Sequence, residues 1–154
     1  MIPSVNFYNL LVQFEGLKLK AYLDSASIPT IGIGTIRYPQ GNKVLITDTC
    51  SESDANIWAK YEADKMALKL SALLIGGIYQ QNEFDALMLL MYNIGSKALA
   101  DSTVLKRIKT KTGDIDAAWM MWNKARVNGK LTEIAGLTNR RKKELQLFNQ
   151  KNQI

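Results

Sequence analysis

Glu15-Gly16-Leu17-Lys18-Leu19-Lys20-Ala21-Tyr22-Leu23-Asp24, followed by Pro29-Thr30-Ile31-Gly32-Ile33-Gly34-Thr35, is the stretch on which the fold turns. Upstream of it, Ser4 has the form of a helix N-cap. Val5, Tyr8, Leu11 and Val12 follow at helical spacing until Gly16 stops the helix. Beyond Gly16 the character changes. Tyr22, Ile28, Thr30, Ile31, Ile33, Thr35, Ile36 and Tyr38 are strand formers, punctuated by Asp24-Ser25, Pro29, Gly32, Gly34, Pro39 and Gly41-Asn42. Residues 17–47 therefore predict a small antiparallel sheet of two or three strands.

After Asp48 the pattern is helical. Thr49-Cys50-Ser51-Glu52 has the form of a capping box, with Thr49 as the cap and Glu52 reaching back. The helix it opens is expected to run to about Leu74 and end at Gly76-Gly77. Asn82 is expected to cap a second helix, Glu83 to Ile94, closed by Gly95. That helix is apolar nearly all round, so it belongs in the buried centre of a helical lobe. Shorter helices are expected over 102–110, 114–125 and 137–150. The architecture is α+β: a small antiparallel β-sheet lobe, a long connecting helix and a larger helical lobe. A cleft between the lobes is the natural ligand site.

Composition agrees. The chain has 154 residues, 47% of them apolar, and a chain of this length buries roughly 70% of the surface its unfolded form exposes. It needs no disulfide scaffold or structural metal to fold. No apolar run approaches the ~20 residues of a membrane span. The formal charge of +6 is uneven: residues 1–105 carry a net −2 and residues 106–154 a net +8. A basic half suits an anionic partner, or simply a charged, solvated surface in which Arg141, Lys142 and Lys143 form one helix face. The absence of His removes imidazole acid–base chemistry, the serine and cysteine triads and most zinc sites. With Cys50 as the lone cysteine, no internal disulfide or thiolate cluster forms. No metal and no cofactor is expected, and enzymatic chemistry falls to carboxylates, Lys or Tyr. The N-terminus lacks a basic region followed by an apolar one, so a cytoplasmic site of synthesis is expected.

Three side chains in the opening stretch could carry chemistry. Glu15 stands in the last turn of the first helix, where the helix dipole disfavours a carboxylate by a few tenths to ~1 kcal/mol. That favours the protonated form a general acid needs. Asp24 lies at the turn between strands and Thr30 in the strand that follows. Turn preference and β-branching are the ordinary explanations of these two. Gly32 and Gly34, unusual within a strand, mark a close approach of a ligand or another backbone. Gly-Ile-Gly without a third glycine or a following helix is no phosphate loop. Taken together, two carboxylates and a hydroxyl converging on a cleft are the minimal machinery for cutting a glycosidic bond.

These blocks resemble the active-site signature of phage-type lysozymes, glycoside hydrolase family 24, in which Glu, Asp and Thr stand at this spacing. Gln81-Asn82-Glu83-Phe84-Asp85-Ala86-Leu87 with Tyr92-Asn93-Ile94-Gly95 resembles the family's central helix. Ser102-Thr103-Val104-Leu105 and Gly136-Leu137-Thr138-Asn139-Arg140-Arg141 with Glu144 and Leu147-Phe148 match later blocks. The resemblance implies one lysozyme domain over residues 1–154. About 15–48 would form the β lobe with the catalytic residues, and about 49–154 together with the helix 4–15 the helical lobe. It implies an endolysin that cuts the β-1,4 bond between N-acetylmuramic acid and N-acetylglucosamine by inversion. Glu15 would be the general acid, Asp24 and Thr30 would hold and activate water, and Arg140 would orient Glu15. Tyr92, Asn93 and Thr103 would bind substrate, and Trp122 would pack behind the site. Thr35 departs from the many members with His at that position.

The partner implied is peptidoglycan glycan strands, met by a monomer without membrane insertion. The enzyme would wait in the host cytoplasm until released to the wall. Three other readings compete. A catalytically silent wall-binding relative has no chemical need to keep Glu15, Asp24 and Thr30. A nucleic-acid binder would rest on charge alone, without a motif. A lytic transglycosylase would need a single acid–base carboxyl and leave an anhydro end.

Overall fold

The computed structural model describes residues 1–150. Lys151, one of the basic residues counted above, lies outside them. Ser4 caps the first helix, α1 (Val5–Glu15), its Oγ accepting from Asn6 N–H at 3.1 Å. Phe7 and Leu11, one turn apart, supply its buried face. At Gly16 the backbone takes φ 71°, ψ 171°, a region essentially reserved for glycine. The chain therefore leaves the helix directly after Glu15 and enters a strand at Lys18.

That strand, β1 (Lys18–Leu23), pairs antiparallel with β2 (Pro29–Gly32), placing Tyr22 opposite Thr30 and Leu23 opposite Pro29. Residues 48–50 line the other edge of β1: Ala21 N–H donates to Asp48 O and Cys50 N–H to Leu19 O, each at 2.9 Å. Of the two or three strands expected over 17–47, two form; the remainder of that stretch contributes only the isolated bridges Ile31–Thr35 and Arg37–Lys43, and Thr49 adds a bridge to Lys20. Ile31 and Thr35 exchange backbone hydrogen bonds at 2.9 Å around the Gly32–Gly34 turn. A Cβ on Gly32, whose φ is +66°, would stand 3.1 Å from Ala55 Cβ. The close approach this glycine marks is therefore to helix α2 (Glu52–Leu73). Ala55, Ala59 and Ala63, buried at four-residue intervals, give α2 the narrow face that permits it.

The capping box of α2 sits two residues later than expected. Asp54 N–H donates to Ser51 Oγ at 3.1 Å, and Ser51 N–H to Asp54 Oδ2 at 3.3 Å. Thr49 is drawn into its bridge with Lys20 instead. The described chain divides into two compact units, and α2 runs from one into the other. The first is Ser4–Lys65 with Ile2, and so includes α1; the second begins at Met66 and takes in Met1 and Pro3.

In the second unit α3 (Gln81–Ile94) is buried continuously from Phe84 to Met91 and packs along α7 (Ala135–Phe148). Its cap is Gln80, boxed with Glu83, rather than Asn82. Asn82 is buried, and its Nδ2 donates to the carbonyls of Leu147, Phe148 and Gln150 at 2.9–3.1 Å. It closes the far end of α7 instead of opening its own helix. Short helices α4 (Ser96–Ala100), α5 (Thr103–Thr110) and α6 (Ile115–Met120) complete the cluster.

The helix expected over 114–125 stops at Met120. A hairpin follows, β3 (Lys124–Val127) with β4 (Lys130–Glu133). Asn128 and Gly129 both have positive φ at its turn, the requirement of the tight turn that Asn-Gly favours.

Candidate active site

Glu15, Asp24 and Thr30 all fall in the first unit, each set by backbone close to it in sequence. Glu15 is half-buried at the C-terminal end of α1, ahead of the Gly16 reversal. Asp24 forms a turn around its own carboxylate. Oδ1 accepts from Ala26 N–H at 2.8 Å and from Ile28 N–H at 2.9 Å, and the main chain adds Asp24 N–H to Ile28 O at 3.1 Å. Two donors on one oxygen fix the carboxylate plane and leave Oδ2 to work. Thr30 is buried, 3% exposed, and its hydroxyl donates to Ile28 O at 2.9 Å. With its proton committed, Oγ1 meets any further partner as an acceptor. Ile28 thus ties Asp24 and Thr30 together through its backbone alone.

Tyr22 brings Glu15 into the same place. It lies across the ladder from Thr30. Its phenol is held above its ordinary range by burial, then by the negative charges of Glu15 and of Asp24. Both carboxylates therefore act on one hydroxyl group. The sequence reading treats Tyr22 only as a strand former. The available signal was proximity in sequence: Tyr22 stands two residues before Asp24, at the end of the strand that leads into its turn.

In the same unit Tyr38 donates to Asp48 Oδ2 at 2.7 Å and meets the Trp58 ring edge-on at 4.7 Å between centroids. Leu45 N–H and the Tyr38 hydroxyl hold the Asp48 carboxyl below its usual range, while burial and Asp48 push the Tyr38 phenol up. These contacts tie the 36–48 loop to itself and, through Trp58, to α2. Thr35, where many lysozymes of this type have His, is buried within the Ile31 bridge.

The remaining expected site residues lie in the second unit. Tyr92 and Asn93 stand in the last turn of α3, and Thr103 is exposed at the start of α5. Arg140 is buried on α7, its Nε donating to Glu144 Oε1 at 3.1 Å and its Nη2 to Leu89 O at 3.3 Å. Arg141 does not share the solvated face assigned to it: it is fully buried, while Lys142 and Lys143 are exposed. Its Nη2 reaches Glu144 Oε1 at 2.7 Å and Asn93 Oδ1 at 3.0 Å, and its Nη1 reaches Trp122 O at 3.2 Å. Trp119 Nε1 completes the cluster at Glu144 Oε2, 2.9 Å away. Burial pushes the Glu144 carboxyl up. Arg141, the Trp119 N–H and Arg140 pull it back. Among the described residues no helix is long and apolar enough to cross a membrane, and no group of three or more His, Cys, Asp or Glu is placed to hold a metal ion.

Comparison with known proteins matches residues 12–144 to the phage lysozyme family. The endolysin of Salmonella phage P22 is 37% identical over 146 residues, covering 94% of this chain and 96% of that protein. Among solved structures, the endolysin from Escherichia coli O157:H7 phage FAHEc1 superposes with TM-score 0.88 at 37% identity, covering 97% of this chain and 94% of the other. The muramidase domain of SpmX from Asticaccaulis excentricus superposes with TM-score 0.81 at 26% identity, covering 96% and 97%.

Proposed function

The chain belongs to the phage lysozyme family, and we propose that Glu15, Asp24 and Thr30 carry its chemistry as acid, base and water holder. It is a muramidase of the endolysin type, a hydrolase acting on peptidoglycan; nothing favours a silent wall-binding relative. The observation that carries the proposed roles is the Ile28 backbone holding the Asp24 carboxylate and the Thr30 hydroxyl together, with Tyr22 across the ladder from Thr30 close enough to feel the charges of both Asp24 and Glu15.

Glu15, half-buried at the end of α1, protonates the glycosidic oxygen as the bond to the anomeric carbon breaks. A water molecule gives one hydrogen to Asp24 Oδ2 and the other to Thr30 Oγ1, both acceptors once Ala26, Ile28 N–H and Ile28 O have taken their share. Its free lone pair attacks the anomeric carbon from the face opposite the leaving group. The Asp24 carboxylate takes the water's proton, and the configuration inverts. This geometry requires room for a water between the carboxyls, a separation of roughly 6.5–9.5 Å. In the second unit, Tyr92, Asn93 and Thr103 bind the glycan.

The chain acts as one domain over residues 1–154, with about 15–48 carrying the catalytic residues, and as a monomer. It waits in the host cytoplasm until it is released to the wall. The basic residues after 105 concentrate it on anionic wall material, an attraction that salt weakens. Mass spectrometry of fragments from purified peptidoglycan, for wild type and Glu15→Gln in parallel, tests the reading. Reducing muramic ends from wild type alone support Glu15 as the acid. Anhydro ends would make the enzyme a transglycosylase, and equal cleavage by the variant would remove Glu15 from the mechanism.

A further inference from the structure

The buried cluster on α7 lies outside the catalytic three, and stability alone is a poor reason for it. Two arginines and a carboxylate taken out of water cost more in desolvation than a well-packed apolar set of the same volume. What the cluster does is fix direction. Glu144 and Arg141 are fully buried, and Glu144 accepts from Arg140, Arg141 and Trp119 together. Arg141 is thereby held with Nη1 on Trp122 O and Nη2 on Asn93 Oδ1. A guanidinium is donor-only. Asn93 must turn its carbonyl oxygen toward Arg141, because the flipped amide would set N–H against N–H. Both Nδ2 hydrogens are then left for a ligand, on an exposed residue at the end of α3. Two N–H donors held in one orientation suit the acetamido carbonyl and hydroxyl oxygens of an amino sugar.

We propose that Arg141, braced by Glu144, is a positioning residue for substrate binding, locking the Asn93 carboxamide with its donors toward the glycan. The inference rests on the reading of Asn93 as a sugar contact. Wild type, Asn93→Ala, Arg141→Lys and the double variant are compared for KM and kcat on soluble, uncrosslinked peptidoglycan strands. Asn93→Ala is expected to raise KM about tenfold with kcat within about twofold, the loss of one good hydrogen-bonding group. Arg141→Lys keeps the charge beside Glu144 but loses the fork that serves three acceptors. It is expected to raise KM by a similar factor, and the double variant to be no worse than Asn93→Ala alone.

An unchanged KM in Arg141→Lys, or single effects that multiply in the double variant, overturns the proposal while leaving Asn93 as a contact. An unchanged KM in Asn93→Ala overturns the underlying reading itself. Should Arg141→Lys fail to fold, Asn93→Asp decides. It keeps an acceptor for Arg141 but has no donors, so its KM should rise as in Asn93→Ala. A wild-type KM there overturns the proposal.

Discussion

In the first unit, the side-chain hydrogen bonds that set Asp24 and Thr30 span two to four residues of chain. In the second, Arg141 reaches Asn93 across 48 residues and Asn82 reaches the end of α7 across 65 to 68. The two units position polar groups by different means. One folds the chain tightly around a carboxylate at the surface, with glycine conformations doing the steering. The other buries a charged cluster between helices far apart in sequence. A locally built site is robust to what happens elsewhere and is open to water, which hydrolysis requires. A site built at long range is rigid, because every group in it is held by several others.

The largest effect expected from breaking the local site is on rate. Glu15→Gln should lower lysis of purified walls by about 10²- to 10⁴-fold, the usual worth of a general acid, with a melting temperature close to wild type. Asp24→Asn should lose a comparable factor. A large fall in melting temperature in either variant would mean that these carboxylates hold the fold rather than the chemistry. The long-range cluster should answer in stability. Glu144→Ala leaves two buried guanidiniums without their shared carboxylate, and about 3–5 kcal/mol of unfolding free energy should be lost in denaturant titration.

This difference also decides what could be read in advance. The Ser4 cap, the Gly16 stop, the two-stranded ladder and the Glu15, Asp24, Thr30 spacing are local patterns, and all are legible. The Ser51–Asp54 box is equally local. It differs from the Thr49–Glu52 reading only because Thr49 is claimed by its bridge to Lys20. Asn128-Gly129 between Arg126-Val127 and Lys130-Leu131 carries a hairpin signal that outranks a helix over 114–125. Asn82 and Arg141 are another matter. As a cap candidate and a surface arginine they satisfy every local rule, and their actual roles depend on α7 returning alongside α3. No window of adjacent residues contains that information.

Smaller perturbations sharpen the contrast. Gly32→Ala should cost about 2 kcal/mol, from a positive φ that disfavours any side chain by roughly 1–2 kcal/mol and from the contact with Ala55; thermal unfolding measures it. Thr30→Val, isosteric but without an acceptor, should slow cleavage about tenfold. It should cost about 1 kcal/mol of stability for the lost bond to Ile28 O, while Thr30→Ser should restore most of the rate.

The smallest expected effect is on Tyr22. Its raised phenol means that the folded chain keeps the proton longer than the unfolded chain does. The stability this contributes is present below the ordinary tyrosine value of about 10 and is lost as pH climbs through the raised one. Removing either neighbouring charge, by Glu15→Gln or Asp24→Asn, should move the Tyr22 titration back toward its ordinary value by NMR. A titration that ignores both substitutions would place the two carboxylates apart.

The most direct measurement is the anomeric configuration of the first product, followed by proton NMR on a soluble peptidoglycan oligomer before mutarotation. A water held by Asp24 and Thr30 and attacking opposite the departing oxygen gives the α-anomer first. Initial release of the β-anomer would mean retention through a covalent intermediate, and would contradict the assignment of Asp24 and Thr30 to an attacking water.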